Sequence, residues 1–134
     1  MQILRTFLAI IIGLFIGSTV NMSLVELGGI VFPLPNNLDS KSVDDLMLVM
    51  PSLDWYYFIF PFLAHALGTL SGVIIAVLVS QKHKKIASIS VALFFFAGGI
   101  TINLFMLPSP LWFSIVDLLF AYIPMALLVN RKVS

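Results

Sequence analysis

Residues 7–29 read FLAIIIGLFIGSTVNMSLVELGG, a run whose only charged side chain is Glu26. A helix that crosses about 30 Å of hydrocarbon needs about 20 mainly apolar residues. The run is too long and too evenly apolar for one strand of a membrane barrel, which alternates in character over about 10 residues. We therefore predict a membrane-spanning helix over about residues 3–27, ended by Gly28 and Gly29, because glycine readily ends a helix.

Three further stretches have the same character, and they cover about residues 55–80, 86–107 and 111–129. The chain is 60% hydrophobic and 10% charged, whereas a soluble domain is about 45–50% apolar and about 25% charged. We predict an all-α membrane protein, with residues 1–134 forming one four-helix bundle. The opening could also be a cleavable signal peptide, but its apolar run continues past the small residues at 17–19, so a retained span is expected.

The charge balance and the absence of cysteine exclude several classes of function. The chain has seven Lys and Arg residues and six Asp and Glu residues, which gives a net charge of +1. The sequence therefore predicts no basic surface for binding nucleic acid. Without cysteine the chain can form no disulfide, Cys-ligated cluster or zinc ribbon. We expect no cofactor, and no metal site, because the histidines and carboxylates lack metal-ligand spacing.

The distribution of basic residues predicts the orientation of the bundle. Six of the seven basic residues fall on one side of the four spans, and the acidic residues 39, 44, 45 and 54 fall on the other with Lys41. Basic residues concentrate on the cytoplasmic side of membrane proteins. Both termini should therefore be cytoplasmic, in a multi-pass protein of the bacterial inner membrane. Aromatic residues at 55–57 and 112 fit the opposite, outer interface.

The long outer connection, residues 28–54, is predicted to contain a short amphipathic helix. Ser42 stands three residues before Asp45, a spacing typical of a helix start. Apolar residues then recur at helical spacing at 43, 46, 47 and 50, before Pro51. Such a helix could be a lid packed on the bundle, or an element that binds a partner or gates access.

Small residues mark the faces on which the first two spans should meet. The first span carries Gly13 and Gly17, and the second carries Gly68 and Gly72, each pair four residues apart. Helices in lipid associate through close packing across such residues. We predict that the two stripes pack on each other, with homo-oligomer contact as the alternative. Pro61 and Pro124 predict kinks in the second and fourth spans.

Five polar side chains within the spans are candidates for a binding site. They are Asn21, Glu26, His65, Asn103 and Asp117. Inserting an ionised aspartate at the centre of a membrane helix costs about 2.5–3.5 kcal/mol, whereas each large apolar residue favours insertion by only about 0.3–0.6 kcal/mol. Asp117 should therefore be protonated, paired or next to a wet cavity. We predict a pocket in the outer half of the bundle, centred on Asp117 and His65, that binds a ligand or proton. The alternative is a structural role, in which these side chains join the helices by hydrogen bonds.

Two phrases of the sequence resemble a group of short, uncharacterised bacterial membrane proteins with four helices. These phrases are FLAHALGTLSG, residues 62–72, and LPSPLWFSIVDLLFAYIPMALL, residues 107–128. They contain His65 and Asp117. The resemblance implies a bacterial cytoplasmic membrane setting and implies no activity, cofactor or partner.

The residues favour a non-enzymatic role. Neither a Gly-rich phosphate loop nor a Ser–His–Asp order with a nucleophile elbow is present. We expect an accessory or scaffold protein, or a unit that binds a small ligand, which contacts the lipid bilayer and a second copy or another membrane protein. The first alternative is a small proton-coupled transporter or channel that acts as an oligomer, and the second is a membrane-embedded enzyme that acts on lipid.

Overall fold

The computed structural model describes residues 1–133, and this part of the chain contains helices and no strand. Four helical segments are long and apolar enough to cross a membrane: Gln2–Val31, Trp55–Ser80, Lys84–Met106 and Leu111–Val133. The predicted all-α fold with four helices of spanning length is therefore confirmed.

The α-helices are interrupted at specific places. The first span is one helix, α1 (Gln2–Val31), and a short helix, α2 (Val43–Val49), lies in the long connection that follows it. The second span opens with a 3₁₀ turn, Trp55–Phe58, and continues as α3 (Ile59–Ser80). The third is α4 (Lys84–Ile100), which continues as a π-helix over Thr101–Met106. The fourth is divided into α5 (Leu111–Phe120) and α6 (Ile123–Val133).

The glycine pair near the end of α1 does not end that helix, and this expectation is wrong. The helix continues through Gly28 and Gly29 to Val31. No glycine among the described residues has a positive φ. A Cβ atom on Gly28 would lie 2.5 Å from Phe60 Cβ, and one on Gly29 would lie 2.6 Å from Ser40 Oγ. The two glycines therefore provide room for neighbouring side chains and do not terminate the helix.

Helices α1 and α3 form the most extensive helix pair in the bundle. A Cβ atom added to Gly13 would lie 2.5 Å from the carbonyl oxygen of Gly72. One added to Gly17 would lie 2.6 Å from the carbonyl oxygen of Gly68. No real Cβ atom tolerates such distances, so the two backbones approach each other as closely as they do only because these positions carry no side chain.

The two membrane prolines act at helix boundaries. Pro61 lies in the first turn of α3, where a missing amide hydrogen costs no hydrogen bond. The kink expected inside this helix is therefore replaced by a helix start that follows the 3₁₀ turn. Pro124 lies in the first turn of α6, and the α-helix breaks just before it, at Ala121 and Tyr122. The kink expected in the fourth span is thus present as a break.

The two ends of the bundle differ in their packing. At the end that carries the Lys82–Lys85 turn, which we call the basic end, α3, α4 and α6 form an apolar core of small and branched residues, which are Val73, Ala76, Val77, Ala87, Val91, Ala92 and Ala126. At the opposite end, which we call the loop end, larger side chains pack together, with Met50, Phe58 and Phe113 buried.

Helix α2 lies over the loop end. The Ser42 side chain accepts a hydrogen bond from the Asp45 amide at 3.3 Å and so caps the start of the helix. Leu46 and Met50 pack against the aromatic cluster of the loop end, and Met47 on the other face is exposed. The long connection is therefore attached to the bundle by one apolar face of a short helix.

The contact between α1 and α3 predicts opposite outcomes for two glycine substitutions. Gly72→Ala should lower the free energy of unfolding by about 1–3 kcal/mol, because its Cβ atom would lie 2.6 Å from the carbonyl oxygen of Gly13. Gly98→Ala is the matched control, since nothing lies within 4 Å of its added Cβ atom. It should be neutral or stabilising by up to about 1 kcal/mol, because alanine favours helix. Equal effects on unfolding in mixed detergent would contradict the close contact.

Candidate functional site

The carboxylate of Asp117 is the most deeply buried titratable group among the described residues. Asp117 lies in α5, between the loop end and the break in the fourth span, and it is 0% exposed to solvent. A carboxylate in such surroundings is stable only when its oxygen atoms are paired with hydrogen-bond donors. The structure provides three such partners, from three different segments of the chain.

Each oxygen atom of Asp117 is paired. His65 Nδ1 of α3 lies 2.8 Å from Oδ1. Asn103 Nδ2 donates to Oδ2 at 2.8 Å, and Tyr122 Oη donates to the same atom at 3.1 Å. The structure thus brings together three of the sequence-predicted residues, His65, Asn103 and Asp117.

Tyr122 is the member of this cluster that the sequence analysis missed. In an unbroken helix a residue five positions after Asp117 would be rotated about 140° away from it. The break at Ala121 and Tyr122 removes this restriction, and the phenol then reaches the carboxylate. The available signal was Pro124, because a proline disrupts the turn that precedes it.

Gly99 provides the space for the phenol of Tyr122. A Cβ atom on Gly99 would overlap with the Tyr122 oxygen, and it would lie 2.6 Å from the ring carbon that bears this oxygen. Asn103 lies four residues further along the same span, within the π-helix. The wider turn is visible in the bond from the Leu107 amide to the Ile102 carbonyl, at 2.9 Å. Short π-helical segments are often found at functional sites.

The other two predicted residues lie away from the carboxylate. Asn21 packs beside Gly68, and its Oδ1 atom is buried with no hydrogen-bond partner in residues 1–133. Glu26 is 57% exposed, and its carboxylate lies 3.5 Å from Lys41 Nζ. Glu26 is therefore a surface residue paired with a lysine, and the structure does not bring it to the Asp117 cluster.

A cavity of about 340 Å³ lies beside this cluster, toward the loop end. Most of its walls are apolar and come from α1, α2, α3, the start of α5 and the long connection after α1; they include Met22, Val25, Phe32, Leu34, Leu46, Phe60 and Phe113. Among its polar lining residues are Asn21, His65 and Asn103. Asp117 does not line the cavity, because it lies behind His65 and Asn103, to which it is hydrogen-bonded.

His65 connects the buried carboxylate with the cavity. Its Nδ1 atom is paired with Asp117, and its ring stacks near that of Tyr122 with the centroids 5.7 Å apart. The Nε2 atom makes no hydrogen bond to any described residue, and it is not among the buried atoms that lack a partner. This arrangement holds the imidazole in place and leaves one ring nitrogen of a cavity-lining residue without a partner in residues 1–133.

The cluster offers few ligands for a metal ion. Within residues 1–133, no three His, Asp or Glu side chains come together. Protein zinc sites use at least three protein ligands. His65 and Asp117 alone do not fit that requirement.

The hydrogen bond from Tyr122 predicts a measurable loss of stability when it is removed. Tyr122→Phe should lower the free energy of unfolding by about 0.6–1.7 kcal/mol, the range measured for hydrogen bonds between membrane helices. Tyr57→Phe is the matched control, because the hydrogen bond that Tyr57 Oη donates to the Pro33 carbonyl is exposed and, at 3.5 Å, long. If the two substitutions have the same effect on unfolding in mixed detergent, the phenol does not stabilise the buried carboxylate.

Comparison with known proteins adds no assignment to this geometry. No protein-family model, no curated protein and no solved structure matches the chain. The functional conclusion therefore depends on the cavity and on the polar side chains at its inner end.

Proposed function

We propose that the protein is a non-enzymatic integral membrane protein that binds a small, mainly apolar ligand in the cavity at its loop end. The observation that carries this proposal is the position of His65. This residue is held by a buried carboxylate on one side and lines an apolar cavity on the other. Binding sites for small molecules are typically apolar clefts of about 300–1,000 Å³ with a few well-placed polar groups. The cavity has this size and this composition.

Two unpaired polar groups favour ligand binding over a purely structural role. If the polar groups beside the cavity only joined helices, they would be expected to have hydrogen-bond partners in the protein or in water. Instead, His65 has an unpaired ring nitrogen, and the buried Oδ1 atom of Asn21 has no partner in the described part of the chain. Both residues line the same cavity. A bound molecule would supply the missing partners.

The position of the cavity supports binding more than transport. Its lining residues reach from the loop end to His65 and Asn103. Between these residues and the basic end lies an apolar core that includes Val73 and Val91, both fully buried. A proton or polar solute would need a polar path through this region. A binding site that opens toward one end of the bundle requires no such path.

The proposal places the protein in a bacterial cytoplasmic membrane, with both termini and the basic end in the cytoplasm. The described segments carry many large apolar side chains on their outer surface, as a surrounding bilayer requires; examples are Phe7, Phe15, Leu78, Phe94, Phe105 and Leu119. The orientation is supported by the basic residues near the Lys82–Lys85 turn and by the basic last turn of α6.

Single cysteines will test this orientation, because the chain contains none of its own. In intact spheroplasts, a membrane-impermeant maleimide should label Lys41→Cys and should label Lys82→Cys only after the membrane is opened. Both positions are exposed, so burial does not limit either reaction. Labelling of Lys82→Cys before opening, with Lys41→Cys protected, would invert the proposed orientation.

Photolabelling will test the ligand site. Octanol that carries a diazirine is a small, mainly apolar probe and should form adducts at the cavity residues Met22 and Val25 in lipid nanodiscs. Unlabelled octanol should compete for these adducts, because the cavity holds a limited number of molecules. Adducts at the exposed residues Phe105 and Leu119 should resist competition, since the surrounding lipid dissolves the probe without saturation.

A substitution that fills the cavity provides the matched control. Val25→Trp should remove the competed adduct at Met22, because the larger side chain takes up part of the cavity volume. Leu119→Trp adds the same side chain on an exposed surface and should leave that adduct unchanged. Thermal unfolding of both variants will show that they remain folded. If the adducts in the parent protein resist competition everywhere, the ligand-binding function is wrong.

A further inference from the structure

We propose that the natural ligand of this cavity is a neutral alcohol, whose hydroxyl group donates a hydrogen bond to His65 Nε2. This inference rests on the proposed ligand-binding function and specifies the chemistry of the ligand. It follows from the direction of the hydrogen bonds around Asp117 and from the residues that line the cavity.

We place the ring proton of His65 on Nδ1, the nitrogen that faces Asp117. An ionised carboxylate accepts hydrogen bonds and donates none. Asn103 Nδ2 and Tyr122 Oη are both donors to its Oδ2 atom, and His65 Nδ1 lies 2.8 Å from Oδ1. With its ring proton on Nδ1, the imidazole donates to Oδ1 and has a lone pair on Nε2. His65, which lines the cavity, is then a hydrogen-bond acceptor for a ligand.

Asn103 and Asn21 also present acceptor atoms at the inner end of the cavity. Asn103 uses its amide nitrogen to donate to Asp117, so its carbonyl Oδ1 is the atom left for another partner. The Oδ1 atom of Asn21 is buried and unpaired among the described residues. The hydroxyl group of Tyr122 already donates its hydrogen bond to the carboxylate and is not a donor for a ligand. A ligand that only accepts hydrogen bonds, such as an ether or ketone, would leave His65 Nε2 and Asn103 Oδ1 without a donor.

The lining of the cavity favours a neutral donor over a cationic one. No aspartate or glutamate is among the lining residues, so an ammonium group would have no carboxylate in contact with it. A charge buried without a partner is strongly unfavourable. An anionic ligand is not favoured either, because Lys41, the lysine that lines the cavity, is already paired with Glu26 at 3.5 Å. A hydroxyl group provides the required donor without a charge.

The walls of the cavity define the rest of the ligand. From the inner end toward the loop end, the lining is mainly apolar and includes the side chains of Val25, Phe32 and Phe60. An alkyl chain or ring would bury its surface there, while its hydroxyl group reaches His65. The ligand class is therefore an apolar molecule with a hydroxyl group at one end.

Two isomeric probes will test the need for a donor. Octanol and methyl heptyl ether contain the same atoms, but only octanol has an O–H group. Both should compete with the diazirine octanol for the adduct at Met22, and octanol should compete about three- to tenfold more strongly, as expected for one hydrogen bond. Octylamine and octanoic acid serve as charged counterparts and should compete less well than octanol. If the ether or either charged probe competes as well as octanol, the proposed ligand class is wrong.

The substitution His65→Asn separates the two nitrogen atoms of the imidazole. An asparagine amide can still donate to Asp117 from a position close to that of Nδ1, but it has no atom in place of Nε2. Octanol should lose about three- to tenfold in affinity and become equal to the ether, whose affinity should not change. His83→Asn is the matched control, because it makes the same change in the turn at the basic end, away from the cavity. A loss of both probes to the same extent would indicate a structural role for His65.

NMR of isotopically labelled histidine nitrogens in the parent protein provides a test that needs no variant of His65. The second histidine, His83, is assigned with His83→Gln. His65 should carry its ring proton on Nδ1, and octanol, but not the ether, should shift the Nε2 signal. A proton on Nε2 would overturn the alcohol proposal. Saturable labelling without a preference for octanol would overturn only the ligand class, whereas no saturable labelling would overturn the ligand-binding function itself.

Discussion

The buried carboxylate of Asp117 is the constraint on which the rest of the site depends. A charge within the apolar part of a bundle is tolerated only where donors surround it. The required donors come from α3, from the π-helical end of the third span and from the broken fourth span. The π-helix at the end of the third span carries Asn103, and the break in the fourth span brings Tyr122 to the carboxylate. The irregular backbone and the buried carboxyl group of Asp117 therefore explain each other.

The close packing of α1 on α3 complements this polar cluster. Without side chains at the glycine positions the two backbones are in direct contact, and this contact holds the half of the bundle nearer the basic end tightly together. Toward the loop end the small residues give way to Asn21 and to large aromatic side chains, and the packing leaves a cavity. One pair of helices thus forms both a tightly packed seam and one wall of a binding site.

Much of the architecture could be predicted from the sequence, because hydropathy and span length depend only on composition. The depths and faces of His65, Asn103 and Asp117 also pointed to a common location. Tyr122 could not be found in this way, since its position depends on how the chain continues after a break. The continuation of α1 past Gly28 depends on a long-range contact with Phe60, which no local pattern reveals. The sequence could not show that Glu26 lies outside the cluster, because this depends on its long-range contact with Lys41 of the connection.

The space beneath the phenol of Tyr122 has an evolutionary consequence. Any residue larger than glycine at position 99 would push the phenol away and leave one oxygen atom of the carboxylate with a single donor. In related sequences, a change at position 99 should therefore be accompanied by a smaller residue at position 122 or by the loss of the acid at 117. The three positions would be inherited as one unit, although they lie in two different spans.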